Sequence, residues 1–187
     1  MKTAQVHITG ISPLSQSRGY DRDVEKLTKE RPDDYEKRTW MNRLHVDAKG
    51  NVFIPPMAFK NCLSEAAKYL SIRKPGKGQA TYTKHFEAGV LVTEPLILDV
   101  KKNDVSGEWI FVPADGKRGG GKRVWKNFPV IQQWGGDVTF FILDEEITQD
   151  VFMQHLEQAG QFIGVGRFRP RNNGFYGRFK VDNIVWG

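Results

Sequence analysis

The residues best equipped for chemistry lie close together near the end of the chain. Between Gly160 and Lys180 sit Arg167, Arg169, Arg171, Arg178 and Lys180, with no Asp or Glu among them. Phe162, Phe168, Phe175, Tyr176 and Phe179 alternate with these cations, and Gly160, Gly164, Gly166, Gly174 and Gly177 punctuate the run. Guanidinium groups grip phosphate as fixed forks, and aromatic rings stack on bases. Glycines allow hinges and close backbone approach. The combination fits a loop that holds a nucleic-acid backbone. It also fits a glycine-rich turn between core elements with solvated arginines, and composition alone does not choose.

Two more basic stretches tilt the balance. Residues 71–84 carry Arg73, Lys74, Lys77 and Lys84 around Pro75, Gly76 and Gly78, without an acid. Gly76-Lys77-Gly78 lacks the full spacing of a nucleotide phosphate loop, so a backbone-phosphate contact is the simpler reading. Residues 113–129 form a basic, glycine-rich finger. Lys117, Arg118, Lys122, Arg123 and Lys126 surround Gly119-Gly120-Gly121, with Trp125 and Phe128 behind them. A hairpin explains the glycines, but the clustered cations repel one another unless a polyanion or salt screens them.

Catalytic and metal chemistry find less support. His85 and Glu87, two apart in an extended run, could face the same way, but no third ligand has a readable spacing. Asp33, Asp34 and Glu36 read as a solvated loop. His7 reads as a sheet residue and His155 as a packing residue. The single cysteine, Cys62, excludes an internal disulfide and a Cys-rich zinc site, and it sits on the apolar face of a helix. No catalytic residue, metal or cofactor is expected.

The elements that must position these groups are legible in outline. The chain has 187 residues, a formal charge of +6 and twelve phenylalanines, which fits one folded domain with insertions. Such a basic excess suits nucleic acid, an anionic membrane or acidic proteins. No long apolar run predicts a membrane span, so a cytoplasmic location is expected, in a bacterium or a phage-infected cell. A first strand runs from Ala4, with Val6 and Ile8 on one face; its anchoring so near the terminus predicts a central place. Residues 18–46 are a charged insertion, expected to be solvent-exposed and partly helical. Phe59, Cys62, Leu63, Ala66, Ala67 and Leu70 recur at three and four, predicting a helix over Met57–Leu70 begun by Pro56. Lys60, Ser64 and Lys68 line its second face. Tyr82–Val100 reads as extended, and Glu108–Val112 and Val138–Leu143 as strands. Thr148 caps a second helix, and Tyr176–Trp186 closes the chain as a strand. With the insertions set aside the order is β-α-β-β-α-β. That predicts an α+β, ferredoxin-like (RNA-recognition-like) antiparallel sheet with two helices on one face.

At this level the chain resembles the RAMP superfamily, specifically the backbone subunits of CRISPR effector complexes. Ile8–Ser15 is similar to the family's opening strand. Ile54-Pro55-Pro56-Met57-Ala58-Phe59-Lys60-Asn61-Cys62-Leu63 is similar to its lead-in to the first helix. Pro56 and Met57 stand where a glycine and a small hydroxyl residue are usual, and Asn61 replaces a glycine. Gly160–Gly177 is similar to the glycine-rich loop after the second helix. The resemblance implies a single RAMP-like domain over 1–187 that polymerises along single-stranded RNA, beside copies of itself and other CRISPR effector subunits. It implies that Lys60 contacts phosphate and that Arg167, Arg169 and Arg171 clamp the backbone. It implies that Trp125 or Phe128 wedges or stacks against a base. Single-stranded DNA is the alternative polymer. A compact phage or plasmid homologue is a further expectation. Two other readings stay open: a phage protein that binds a host protein or CRISPR complex as a structural or inhibitory factor, and a metal-dependent ribonuclease using Asp21, Asp23, Asp33 or Asp34.

Overall fold

The computed structural model describes residues 1–20, 27–114, 116, 119 and 121–187. Its elements are β1 (Lys2–Gly10), β2 (Leu14–Ser15), α1 (Pro32–Thr39), β3 (Asn51–Ile54), α2 (Pro56–Leu70), α3 (Thr83–Ala88), β4 (Val90–Leu91), β5 (Leu96–Lys101), β6 (Ser106–Pro113), β7 (Arg123–Ile131), β8 (Gly135–Ile142), α4 (Gln149–Gln158) and β9 (Phe179–Trp186). The fold is mixed α+β, with an antiparallel four-stranded sheet in the order β4-β8-β1-β9. β1 is central, as its early anchoring predicts.

Alternation decides which way β1 faces. Ala4, Val6 and Ile8 are buried, whereas Gln5, His7 and Thr9 are exposed. The buried set joins Phe59, Cys62, Leu63, Ala66 and Ala67 of α2 and Phe152 and Leu156 of α4 in one core. Pro56 supplies the fixed first-turn angle of α2, and the helix stops at Ser71, whose φ is 47°. Thr148 caps α4, its Oγ1 accepting from the Val151 N–H at 3.4 Å. α4 runs on into a π-helical turn, Ala159–Ile163. There Gly160 lies so close to Phe179 that a Cβ would collide with its carbonyl oxygen.

The finger is more ordered than a glycine-rich loop suggests. β6 and β7 pair antiparallel from Ser106↔Val130 to Pro113↔Arg123, and β2 extends the base of this ribbon. Lys117 and Arg118 lie outside the described residues.

Two expectations need correction. Tyr82–Val100 is not extended throughout, because Thr83–Ala88 is helical. Tyr82 and Phe86, four apart, are both buried, and that helical spacing outweighs the loose alternation around them. His85 and Glu87 consequently diverge: His85 Nδ1 lies 2.7 Å from Asp144 Oδ2, and Glu87 reaches Lys68 at 2.6 Å. The charged insertion is also not simply solvated. Glu36 and Arg43 are buried and form an ion pair at 2.7 Å, with side-chain exposures of 7% and 3%. Glu36 also accepts from the Asn127 N–H and Arg43 donates to the Asn127 carbonyl, so α1 is latched to β7. Asp33 and Asp34 lie exposed in the first turn of α1, and Asp21 and Asp23 lie outside the described residues.

Candidate nucleic-acid interface

A groove of about 900 Å³ opens between α2 and the glycine-arginine loop. Lys60, Ser64 and Lys68, the second face of α2, line one wall together with Asn61 and Glu65; Arg167, Phe168 and Arg169 line the other. Residues more than a hundred positions apart thus share one surface.

The loop is held by its backbone. The Arg167 N–H donates to Ser15 O at 2.7 Å, Gly177 N–H to Pro13 O at 2.8 Å, and Val165 N–H to Gly177 O at 3.0 Å. Gly164, Gly166 and Gly177 have φ values of 71°, 81° and 76°, which only glycine adopts without cost. Phe168 adopts φ of 48° despite its bulk, and its ring stays 46% exposed at the groove. This conformation costs about 1–2 kcal/mol, and no compensating ring burial accompanies it.

Arg167 is packed among aromatic rings. Its guanidinium carbon lies 3.6 Å from the centroid of Phe128, 5.9 Å from Phe168 and 6.0 Å from Tyr176. Its side-chain hydrogen bond is to Ser15 Oγ at 3.4 Å, and among the described residues no carboxylate pairs with it. Burial lowers its pKa from the ordinary arginine value, yet an arginine stays charged. Glu108, bonded to the Tyr176 hydroxyl, acts on Arg167 electrostatically without pairing with it, so this part-buried, ring-caged guanidinium keeps donors for an incoming phosphate oxygen.

The other expected site residues divide by location. Lys60 Nζ donates to the Glu87 carbonyl at 2.7 Å, inside the groove. Arg169 Nη2 reaches both Glu65 oxygens, at 2.9 and 3.1 Å, also inside it. Arg171 is exposed on the turn Pro170–Asn172, and Arg178 Nε donates to the Gln161 carbonyl at 3.3 Å. Lys74 lies apart from the groove, 10% exposed, paired with Glu146 at 2.9 Å and donating to His85 Nε2 at 3.1 Å. Arg73 and Lys77 flank it on the exposed turn. Lys122, Arg123 and Trp125 belong to the ribbon, where Trp125 is 52% exposed.

Phe128 occupies a different setting from the one a base wedge needs. It is 8% exposed and sits between Arg167 and Arg43, the latter at 4.9 Å. On the opposite face of the ribbon, Trp109 and Phe111 join Trp125, and the Phe111 and Trp125 rings are 5.3 Å apart. Arg123 stacks over Phe111 at 5.5 Å. Trp109 and Phe111 escaped the sequence reading, although two aromatics at a spacing of two in a strand were the available signal. Lys68 and Glu65 were missed as groove residues because charged helix positions carry no mark of what faces them.

Among the described residues, the sheet face opposite the helices offers no comparable cation cluster. Gln5, His7, Thr139 and Asp137 share it through their register, and His7 Nδ1 pairs with Asp137 at 2.7 Å. Catalytic groupings are sparse. Among the described residues no three or more His, Cys, Asp or Glu could hold a metal ion. Burial pushes the Cys62 thiol up to about 12. Burial lowers the pKa of His155 as well, and its Nδ1 donates to the Val151 carbonyl at 2.7 Å. No helix among the described residues is long and apolar enough to cross a membrane.

No family model matches the chain, and no curated protein matches its sequence. Solved structures match in shape. A chain of the type III-B Cmr-beta complex bound to cognate target RNA aligns with a TM-score of 0.57 at 12% identity, over 99% of this chain and 60% of that one. Cmr6 from Pyrococcus furiosus aligns at 0.47 and 13% identity, over 97% and 99% of the two chains. A chain of a CRISPR RNA-guided surveillance complex aligns at 0.39 and 10% identity, over 98% and 68%. This chain therefore spans 60% of the length of the Cmr-beta chain. The likeness is one of fold alone: the chain is distantly similar in structure to that chain of the Cmr-beta complex over nearly its whole length.

Proposed function

We propose that the chain is a non-catalytic subunit that binds single-stranded nucleic acid, RNA in preference to DNA, and assembles side by side with copies of itself or with other CRISPR effector subunits. The sheet order β4-β8-β1-β9, with α2 and α4 as the two crossover helices, supports a ferredoxin-like RAMP domain over 1–187. Residues 18–46 and 113–129 are its insertions. The observation that carries the reading is the groove, where Lys60 and Arg169 meet an Arg167 that is desolvated and lacks a carboxylate partner among the described residues. In this reading Lys60, Arg167 and Arg169 hold successive phosphates. Trp125, with Trp109 and Phe111, stacks on bases. Arg73, Lys77, Lys117, Arg118, Lys122, Arg123, Arg171 and Arg178 supply the surrounding positive field.

The test is an anisotropy titration of single-stranded RNA, single-stranded DNA and duplex at several salt concentrations. Single-stranded RNA should bind most tightly. Replacing Arg167 and Arg169 by alanine should reduce the salt slope by about 1.4, at roughly 0.7 per lost phosphate contact on a single strand, and replacing Arg171 as well should lower affinity further. Weak, indistinguishable binding of all three polymers at physiological salt would refute the reading. Sizing before and after nuclease treatment, with absorbance at 260 and 280 nm, tests the assembly: a large nucleic-acid-rich particle should collapse.

A further inference from the structure

The groove is not uniformly basic. Lys60, Lys68, Arg167 and Arg169 line it, but so do the carboxylates of Glu65 and Glu87. An acid beside a phosphate track lowers affinity for the backbone, because both are anions. A groove that served phosphate alone would be better without them.

A carboxylate accepts hydrogen bonds and cannot donate them. Along a nucleic-acid backbone the group able to donate to it is the ribose 2′-hydroxyl, which DNA lacks. Of the two acids, Glu65 is the better placed to be selective. Its carboxylate is held by Arg169 Nη2, 2.9 Å from one oxygen and 3.1 Å from the other. Arg169 is itself only 18% exposed, so the pair is fixed, while Glu65 remains 36% exposed toward the groove. Each carboxylate oxygen offers two lone-pair directions, so one arginine nitrogen leaves acceptor positions open. Glu87 is paired instead with Lys68, a flexible lysine 60% exposed, and is less fixed.

Resting on the reading of the groove as a backbone track, we propose that Glu65 is the residue that distinguishes RNA from DNA, accepting a hydrogen bond from a ribose 2′-hydroxyl while Arg169 holds it in place. Arg169 then serves both the neighbouring phosphate and the orientation of the acid. The same carboxylate repels a backbone that offers no donor in return, so selectivity comes from one attractive and one repulsive element.

The experiment compares one short sequence in three chemistries: RNA, DNA, and 2′-fluoro RNA, which retains the ribose-like pucker and has no 2′ donor. The wild-type chain should bind RNA about tenfold more tightly than either analogue, the worth of one hydrogen bond to a charged group. Glu65→Gln and Glu65→Ala should both bind DNA more tightly than the wild type does; Glu65→Ala should shrink the RNA preference to about twofold or less, and Glu65→Gln, whose amide oxygen still accepts a hydrogen bond, should leave an intermediate preference of about fivefold. Thermal melts confirm that both variants are folded; Glu65→Gln changes no volume at a half-exposed position. Two results overturn the proposal: 2′-fluoro RNA binding as tightly as RNA, or Glu65 variants that shift all three affinities by one common factor. Absence of single-strand binding by the wild type would instead overturn the function proposed above, so the two failures are separable.

Discussion

Phe128→Leu separates two roles that an aromatic residue can play beside a nucleic acid. In the structure Phe128 is 8% exposed, and its ring lies between the guanidinium groups of Arg167 at 3.6 Å and Arg43 at 4.9 Å. Leucine keeps an apolar side chain there but removes both π faces. Each cation–π contact contributes about 0.5–2 kcal/mol, the upper end applying where the cation is desolvated. The stability loss should therefore be about 1–3 kcal/mol, read as a lower urea midpoint at unchanged slope. Arg167 loses its platform, so RNA affinity should fall several-fold. Because a phosphate contact is weakened, the dependence of affinity on salt should become shallower, by up to about 0.7. A ring that stacked on a base would behave differently: its loss would lower affinity and leave the salt slope alone. The assay is an anisotropy titration at four salt concentrations beside a urea melt. A destabilised variant with unchanged affinity and slope would refute the platform role, and lowered affinity with an unchanged slope would restore the base-stacking role.

Other consequences are as direct. Glu36→Gln leaves Arg43 buried beside a neutral partner and should cost about 3 kcal/mol in chemical denaturation; a loss under about 1 kcal/mol would mean the latch between α1 and β7 is not structural. His155 is fully buried with its pKa lowered by desolvation. The unfolded chain therefore takes up a proton there that the folded chain refuses, so this contribution to stability is complete above about pH 6.5 and is lost as pH falls below it. His155→Phe should flatten the fall in stability between pH 7 and pH 5, and an unchanged pH profile would contradict the burial argument. Cys62, its thiol raised to about 12 by burial, should resist thiol reagents at pH 8 until the chain is unfolded; prompt labelling of the native protein would place it at the surface.

Much of this arrangement was legible in the residues, and the reasons differ by element. The 3-4 spacing of Phe59, Cys62, Leu63, Ala66 and Ala67 gave α2 because five apolar residues on one stripe leave one solution. The alternation around Val6 and Ile8 gave β1 in the same way. Thr83–Ala88 was misread because one and a half turns are too short to establish a period. Glu36 was misread because charge-dense sequence favours solvent, and only the distant Arg43 and the Asn127 backbone reveal a buried pair. The cations of the glycine-arginine loop were found by composition, whereas their grouping with Lys60 depends on long-range folding. Phe128 shows the limit most sharply: its type fits stacking on a base or on an arginine, and only the structure names the partner.

The central claim is that the groove between α2 and the glycine-arginine loop is where a single strand runs. Photocrosslinking of bound single-stranded RNA, with the attached peptides mapped by mass spectrometry, tests it most directly. The account predicts crosslinks within Pro56–Leu70 and in the loop around Phe168, whose ring is exposed at the groove. Crosslinks confined to the opposite face of the sheet, around Gln5, His7 and Thr139, would contradict it.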